Sequence, residues 1–245
     1  MANINDILGK INALKSEEKI PVTIPSLNKQ LLFTPLNVKQ QKNLLRQSIG
    51  GVMSLPDLLA EFNEIVLESC KESSDSLKVY DRYPVLLELR KNAYGNIIEI
   101  KDKKYDISTL PSPTQPPDSL NQDEVSYKTL RVKVKAPSLK DDTGFIKKSS
   151  FENKKNKVDN EKDLISGMYV LEILKHIESI SFEDSVITFS DLPFDEKISI
   201  VENLPLSLNQ KILNFIAKIR DFENNLITFE DGAVLPIDTL FATAE

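Results

Sequence analysis

What this chain lacks narrows its function before any motif is read. A single cysteine, Cys70, excludes an internal disulfide framework and suits a reducing compartment. A single histidine, His176, has no second histidine and no local cysteine to build a metal site with, because such a site needs several ligands. The seven glycines are scattered, so no glycine-rich loop is at hand to cradle a phosphate. Tryptophan is absent. No run approaches the ~18–20 apolar residues of a membrane span, and the N-terminus carries no apolar stretch of signal-peptide length. A cytoplasmic product is therefore expected, unless an assembly carries it elsewhere. A formal charge of −6 and a pI near 5.1 disfavour a protein whose main task is coating nucleic acid. No metal, cofactor or small-molecule substrate is expected, and no catalytic residue is assigned.

What is present is helical periodicity in quantity. At 245 residues and 40% hydrophobic content the chain can bury a core, as one domain or as two small ones with a linker. The cleanest signal is Leu208, Ile212, Phe215, Ile216, Ile219 and Phe222, which fall on one face of a helix. Ser207 and Gln210 stand in a capping-box arrangement at its start, and Pro205 ends whatever precedes it. At the other end of the chain Ile4, Ile7, Leu8, Ile11 and Leu14 form a second apolar face, with Asn3 or Asn5 as cap. It is read as a terminal helix packed on its own domain, the alternative being an arm that docks into a partner's groove.

Residues 20–36 read as a small hairpin reversing at Ser26-Leu27-Asn28-Lys29. Asn37 and Gln40 cap the next helix, which Gly50-Gly51 stops. Ser54 opens another, with Leu55, Leu58, Leu59, Phe62, Ile65, Val66 and Cys70 along its buried line; a cysteine there is a small hydrophobe. Asp81 begins a third, with Pro84 near its start, Gly95 as its stop, and Val85, Leu86, Leu89 and Ala93 towards a core. Two short strands are expected over 96–100 and 104–107.

The middle is different in kind. Pro111, Pro113, Pro116 and Pro117 make 108–122 a linker with polyproline character. Residues 124–136 alternate as a one-sided strand, with Arg131, Lys133 and Lys135 on its outer face as an edge strand often has. With Lys147, Lys148, Lys154, Lys155 and Lys157, that stretch offers an alternative reading as a nucleic-acid-binding module over 131–157. Asp141, Asp142, Glu152 and Asp159 dilute it. Residues 137–162 otherwise read as a loop that orders on a partner. A helix follows over 163–177, with His176 as a C-terminal cation or a solvated side chain. Residues 181–189 read as a strand pair. The words ITFSD at Ile187 to Asp191 and ITFED at Ile227 to Asp231 echo one another too briefly to claim a duplication. Glu183, Asp184, Glu230 and Asp231 are read as acidic turn residues and not as a catalytic carboxylate pair.

The segment DRYPVLLELRKNAYG resembles a pattern of the baseplate hub proteins of T-even-like contractile-tailed phages, carried here by Asp81, Arg82, Leu87, Arg90 and Gly95, with Tyr83 and Pro84 varying its beginning. The preceding IPSLNKQLLFTPLNVKQQKNLL is similar to that family's entry. YVLEILKHIESI, then KISIVENLP with Leu204 and Pro205, then NQKILNFIAKI resemble its C-terminal part. The resemblance implies a bacteriophage virion protein of the tail baseplate, a structural subunit or an assembly chaperone of the baseplate hub. It would work through protein–protein contacts with other hub proteins, in the particle or in the host cytoplasm during tail assembly. The expected architecture is α+β and mainly helical. An N-terminal helical unit with small β-hairpins (1–107) and a C-terminal helical unit with short strands (163–245) are joined by a Pro- and Lys-rich middle (108–162).

Overall fold

The structure, a computed structural model, describes residues 3–49, 55–70, 75–155 and 161–241. The expected stop at Gly50-Gly51, the cap at Ser54, and Lys157 and Asp159 lie outside them. The fold is α+β and mainly helical, with short antiparallel sheets. By contacts the chain gathers into two compact units: Met1–Leu77, Asp81–Gln115 and Asn225–Glu245 in one, Lys78–Tyr80 and Pro116–Asn224 in the other. The expected boundaries at 107 and 162 do not coincide with these groupings. Local periodicity marks elements, but it does not show that the chain returns to an earlier unit after residue 224.

The first unit opens with α1 (Ile4–Glu17), whose cap is Asn3, its side chain accepting from the Asn5 amide at 3.2 Å. Its apolar face is not packed on its own domain: Ile4 and Leu14 are 68% and 66% exposed, and Ile7, Leu8 and Ile11 are exposed too. Strands β1 (Ile20–Ile24) and β2 (Lys29–Phe33) pair antiparallel across a 3₁₀ turn and a left-handed Asn28, burying Ile20, Val22 and Ile24. Helix α2 (Val38–Ile49) carries the reciprocal cap that its sequence promises. The Asn37 amide donates to Gln40 Oε1, and the Gln40 amide donates to Asn37 Oδ1, each at 3.0 Å. Helix α3 (Leu55–Ser69) buries Leu58, Phe62, Ile65 and Val66, and Cys70 is buried just after it. Helix α4 (Arg82–Tyr94) is the centre of the unit, buried from Arg82 to Leu87 and again at Leu89 and Arg90; Ala93, expected in the core, is exposed. A helix covered on so many sides is enclosed by its neighbours and does not merely lean on them. The hairpin of β3 (Ile97–Ile100) and β4 (Lys103–Asp106) follows, and residues 225–241 complete the unit with an isolated bridge between Thr228 and Val234.

In the second unit a short helix, α5 (Asp118–Asn121), leads into a four-stranded antiparallel sheet ordered β5-β6-β7-β8. Its strands are β5 (Gln122–Tyr127), β6 (Leu130–Lys135), β7 (Ile177–Phe182) and β8 (Ser185–Thr188). The basic strand expected at an edge, β6, lies between β5 and β7, its Val132 and Val134 fully buried. Lysine on its outer face is therefore solvation of one side of a central strand. Where a loop is expected, helix α6 (Leu139–Lys155) forms; Ser138 Oγ caps it by accepting from the Asp141 amide at 3.0 Å. Helices α7 (Glu161–Leu174), α8 (Phe194–Glu202) and α9 (Leu206–Asn225) complete the unit. Its core joins Val132, Val134, Ile173, Leu174 and Ile177 to Leu208, Ile212, Phe215, Ile216 and Ile219. The Ser207–Gln210 box does not form. Helix α9 starts at Leu206, the Leu208 and Asn209 amides donate to the Pro205 carbonyl, and the Gln210 amide group turns to Asn214.

Two hairpins repeat in register. Ile98, Asp102, Ser108, Leu110 and Pro111 recur at the same spacing as Ile180, Asp184, Ser190, Leu192 and Pro193. In each the second strand runs into a 3₁₀ turn, Ile107–Thr109 or Phe189–Asp191, closed by an amide-to-carbonyl bond of 3.4 Å from Leu110 or Leu192. Residues 227–240 repeat the pattern once more with one extra residue, ending in Ile237–Thr239. So ITFED at 227–231 corresponds to ISFED at 180–184, a strand entering its turn, and not to ITFSD at 187–191.

Candidate functional site

The residues of the hub-like pattern in the first unit are structural ties. Asp81 is fully buried at the start of α4 but does not cap it; its carboxylate accepts instead from the backbone amide of Ser26 at 2.9 Å and from the Ser26 hydroxyl. That fixes the turn between β1 and β2 to the helix start. Arg82, 4% exposed, donates from Nε to Asn63 Oδ1 at 2.7 Å, which fixes α3. Arg90 reaches past the other end of the helix, donating to the Gly95 carbonyl and, at 2.7 Å, to the Ile97 carbonyl. The two terminal guanidinium nitrogens serve one carbonyl each from a rigid plane, whereas a lysine would have to reach both from a single nitrogen. Burial lowers the Arg90 pKa from its ordinary value, with the neighbouring Tyr94 opposing. Gly95 adopts φ +80° and ψ −175°, backbone that side-chain-bearing residues rarely occupy, and so lets the chain leave α4 for β3. Leu87 is buried.

Leu204 and Pro205 belong to the second unit. Both are half-buried, Leu204 against the core, at the corner where α8 hands over to α9.

A groove of about 240 Å³ lies within the first unit, lined by Pro21, Val22, Pro84, Leu87, Glu88 and Lys91 among others. Glu88 and Lys91 are paired with one another at 2.7 Å, and Thr23, Ser108 and Ser112 add hydroxyls to the same lining. Among the described residues no group of three or more His, Cys, Asp or Glu is placed to hold a metal ion. No described helix is long and apolar enough to cross a membrane. Glu183 and Asp184 form the turn between β7 and β8 in the second unit, whereas Asp231, in the first, pairs with Lys103 at 2.5 Å. That contact lowers the Asp231 pKa and raises that of Lys103.

The titratable cluster that sequence reasoning missed joins α6, α7 and α9. Lys175 lies 2.8 Å from Asp142 Oδ1 and 2.7 Å from Glu172 Oε2, and Arg220 approaches Glu172 Oε1 at 3.0 Å. Burial alone would lower the Lys175 pKa and raise that of Glu172. The opposite charges outweigh it, so Lys175 is held above and Glu172 below the ordinary value. His176, expected as a cation or a solvated side chain, is 2% exposed. Its Nδ1 stands 2.7 Å from the Glu172 carbonyl oxygen; that oxygen only accepts, so Nδ1 carries the hydrogen. Burial, then the charge of Lys175, push its pKa down to about 4, so the ring is neutral at pH 7. The readable signal for α6 was Ser138 three residues before Asp141, a helix-start signature inside a stretch otherwise dominated by charge.

The basic stretch is divided. Arg131 and Lys133 are exposed on one face of the sheet, with Glu124 directly across from Lys133. Lys148 lies on α6 with its ammonium 4.0 Å from the centre of the Phe194 ring. It is a mixed surface.

Compared with known proteins, the chain matches over residues 17–228 the family model described as T4 bacteriophage base plate protein. Neither the comparison with curated proteins nor that with solved structures gave a match.

Proposed function

The chain belongs to the T4 bacteriophage base plate protein family, and from that premise we propose that it serves at the baseplate hub, as a non-enzymatic structural subunit or assembly factor acting through protein–protein contacts. The observation that carries the contact reading is α1. Five large apolar side chains, Ile4, Ile7, Leu8, Ile11 and Leu14, line one side of a capped helix, and all are exposed. An isolated helix of 14 residues is marginal in water, and burial of such a face in a partner's groove stabilises it. What supports the non-enzymatic side is how the family-like polar residues are used. Asp81, Arg82 and Arg90 bond neighbouring backbone and side chains of their own unit.

The test is affinity capture of the tagged full chain from infected cells, with finished particles assayed separately. Recovery of hub proteins is expected. Presence of the chain in finished particles marks a subunit, and association with hub precursors alone marks an assembly chaperone. Absence from both would remove the hub assignment.

A further inference from the structure

The repeated hairpins share a register, and one of them has a cover that the other lacks. In β3–β4, Ile98 stands opposite Tyr105 and Ile100 opposite Lys103, so these four side chains share a face. The segment 226–241 closes on it: the Phe229 ring lies 4.6 Å from that of Tyr105, and Asp231 accepts from Lys103 at 2.5 Å and from the Tyr105 hydroxyl at 3.2 Å. Ile98 and Ile100 are left only 4% and 9% exposed. In β7–β8 the corresponding pairs are Ile180 opposite Ile187 and Phe182 opposite Ser185. Ile180 is buried in its own core, but Phe182 and Ile187 are 52% and 44% exposed on the same face. An aromatic and a branched aliphatic side by side on a sheet edge form a place for a partner to cover.

We propose that the Phe182–Ile187 face of the β7–β8 hairpin receives a hairpin-and-turn segment of another protein, whose aromatic side chain packs there as Phe229 packs on Tyr105. The contact is apolar: Ser185 stands where Lys103 meets Asp231, so the acidic turn residue of the covering segment has no counter-charge to find. A second copy of this chain is not the occupant. Its own segment of this kind is already spent, with Phe229, Leu235 and Leu240 at 5%, 2% and 1% exposure. The proposal deepens the contact reading above and takes from it only that the partner is another baseplate protein.

The probe is a fluorescein-labelled peptide with the sequence of residues 224–241, titrated against the full chain and followed by anisotropy. Saturable binding is expected. It should weaken about tenfold or more, ~1.4 kcal/mol or more, when Phe182→Ser and Ile187→Ser are combined in the protein. Phe229→Ala in the peptide should weaken it as much, and that variant leaves the protein's own fold untouched. Benzoylphenylalanine at position 229 of the peptide should crosslink to 177–188. Crosslinks confined to 97–106, binding indifferent to the double substitution, or no saturation below about 1 mM would overturn the proposal. So would dimerisation of the full chain that the double substitution abolishes, because the face would then belong to a second copy. Failure of the peptide alongside successful capture of hub proteins would remove this surface and leave the proposed function standing.

Discussion

Acidification from pH 7 to pH 4 should destabilise the second unit, with His176 responsible for a defined share. The imidazole is 2% exposed, donates to the Glu172 carbonyl at 2.7 Å and meets the Phe215 ring edge-on, 6.3 Å between centres. Burial and the nearby Lys175 charge hold its pKa at about 4, against an ordinary 6.5. Above pH 6.5 the ring is neutral whether the chain is folded or unfolded, and its full contribution to stability is present. As pH falls from 6.5 towards 4 the unfolded chain takes up a proton that the folded one refuses, so stability is lost across that window. At ~1.36 kcal/mol per pH unit the gap amounts to ~3 kcal/mol, a large part of the ~5–15 kcal/mol that holds a typical domain together. Because His176 is the only histidine, its ring Hε1 proton is identified in an NMR spectrum without further assignment. Its shift should stay flat from pH 8 to pH 5. Urea unfolding followed by circular dichroism should show the slope between pH 6.5 and 4.5 flattening in His176→Asn. Glu172, whose pKa is held below its ordinary value, adds a separate loss of stability only at still lower pH, as its carboxylate is protonated. An Hε1 inflection near 6.5 in the folded protein would show that folding does not shift His176 and that the acid sensitivity lies elsewhere.

At the end of α4, Arg90→Lys should cost ~1–3 kcal/mol in urea unfolding, because separate guanidinium nitrogens bond the Gly95 and Ile97 carbonyls and a lysine has to reach both from one nitrogen. Gly95→Ala should cost ~1–3 kcal/mol through backbone strain alone, since φ is +80° and no atom stands within 4 Å of the added methyl; an unchanged midpoint would show that the turn re-forms at no cost. Ile212→Asp places an unpaired carboxylate at a fully buried position of the second core and should cost solubility and helical signal before any specific partner is lost. A variant that stays folded yet fails to capture its partner would make α9 an interface.

The elements that could be read from the sequence were those whose pattern is strong and local. The apolar line of α9 is the best case: Leu208, Ile212, Phe215, Ile216 and Ile219 are all buried, and Phe222 packs against them half-buried. The Asn37–Gln40 cap and the hairpins at 20–33 and 97–106 were legible for the same reason. The pattern of a single element does not say what lies opposite it. Thus α1 has the stripe of a packed helix and exposes it, and β6 has the lysines of an edge strand and stands inside a sheet. Helix α6 was hidden because its buried polar residues, Asp142 and Thr143, read as solvated ones until Lys175 is brought to Asp142 by the fold. The hub-like residues Asp81, Arg82 and Arg90 could be picked out by order. Their partners Ser26 and Asn63, far away along the chain, could not be inferred from any spacing rule.

We propose that this chain is needed to build a baseplate, through protein–protein contacts. The most direct measurement uses a phage whose gene for this chain carries an early stop codon, with tail intermediates from infected cells separated on sucrose gradients and viewed by electron microscopy. Complete baseplates should be missing, and a copy of the chain supplied in trans should restore them. A normal yield of tailed, infectious particles without the chain would contradict this role.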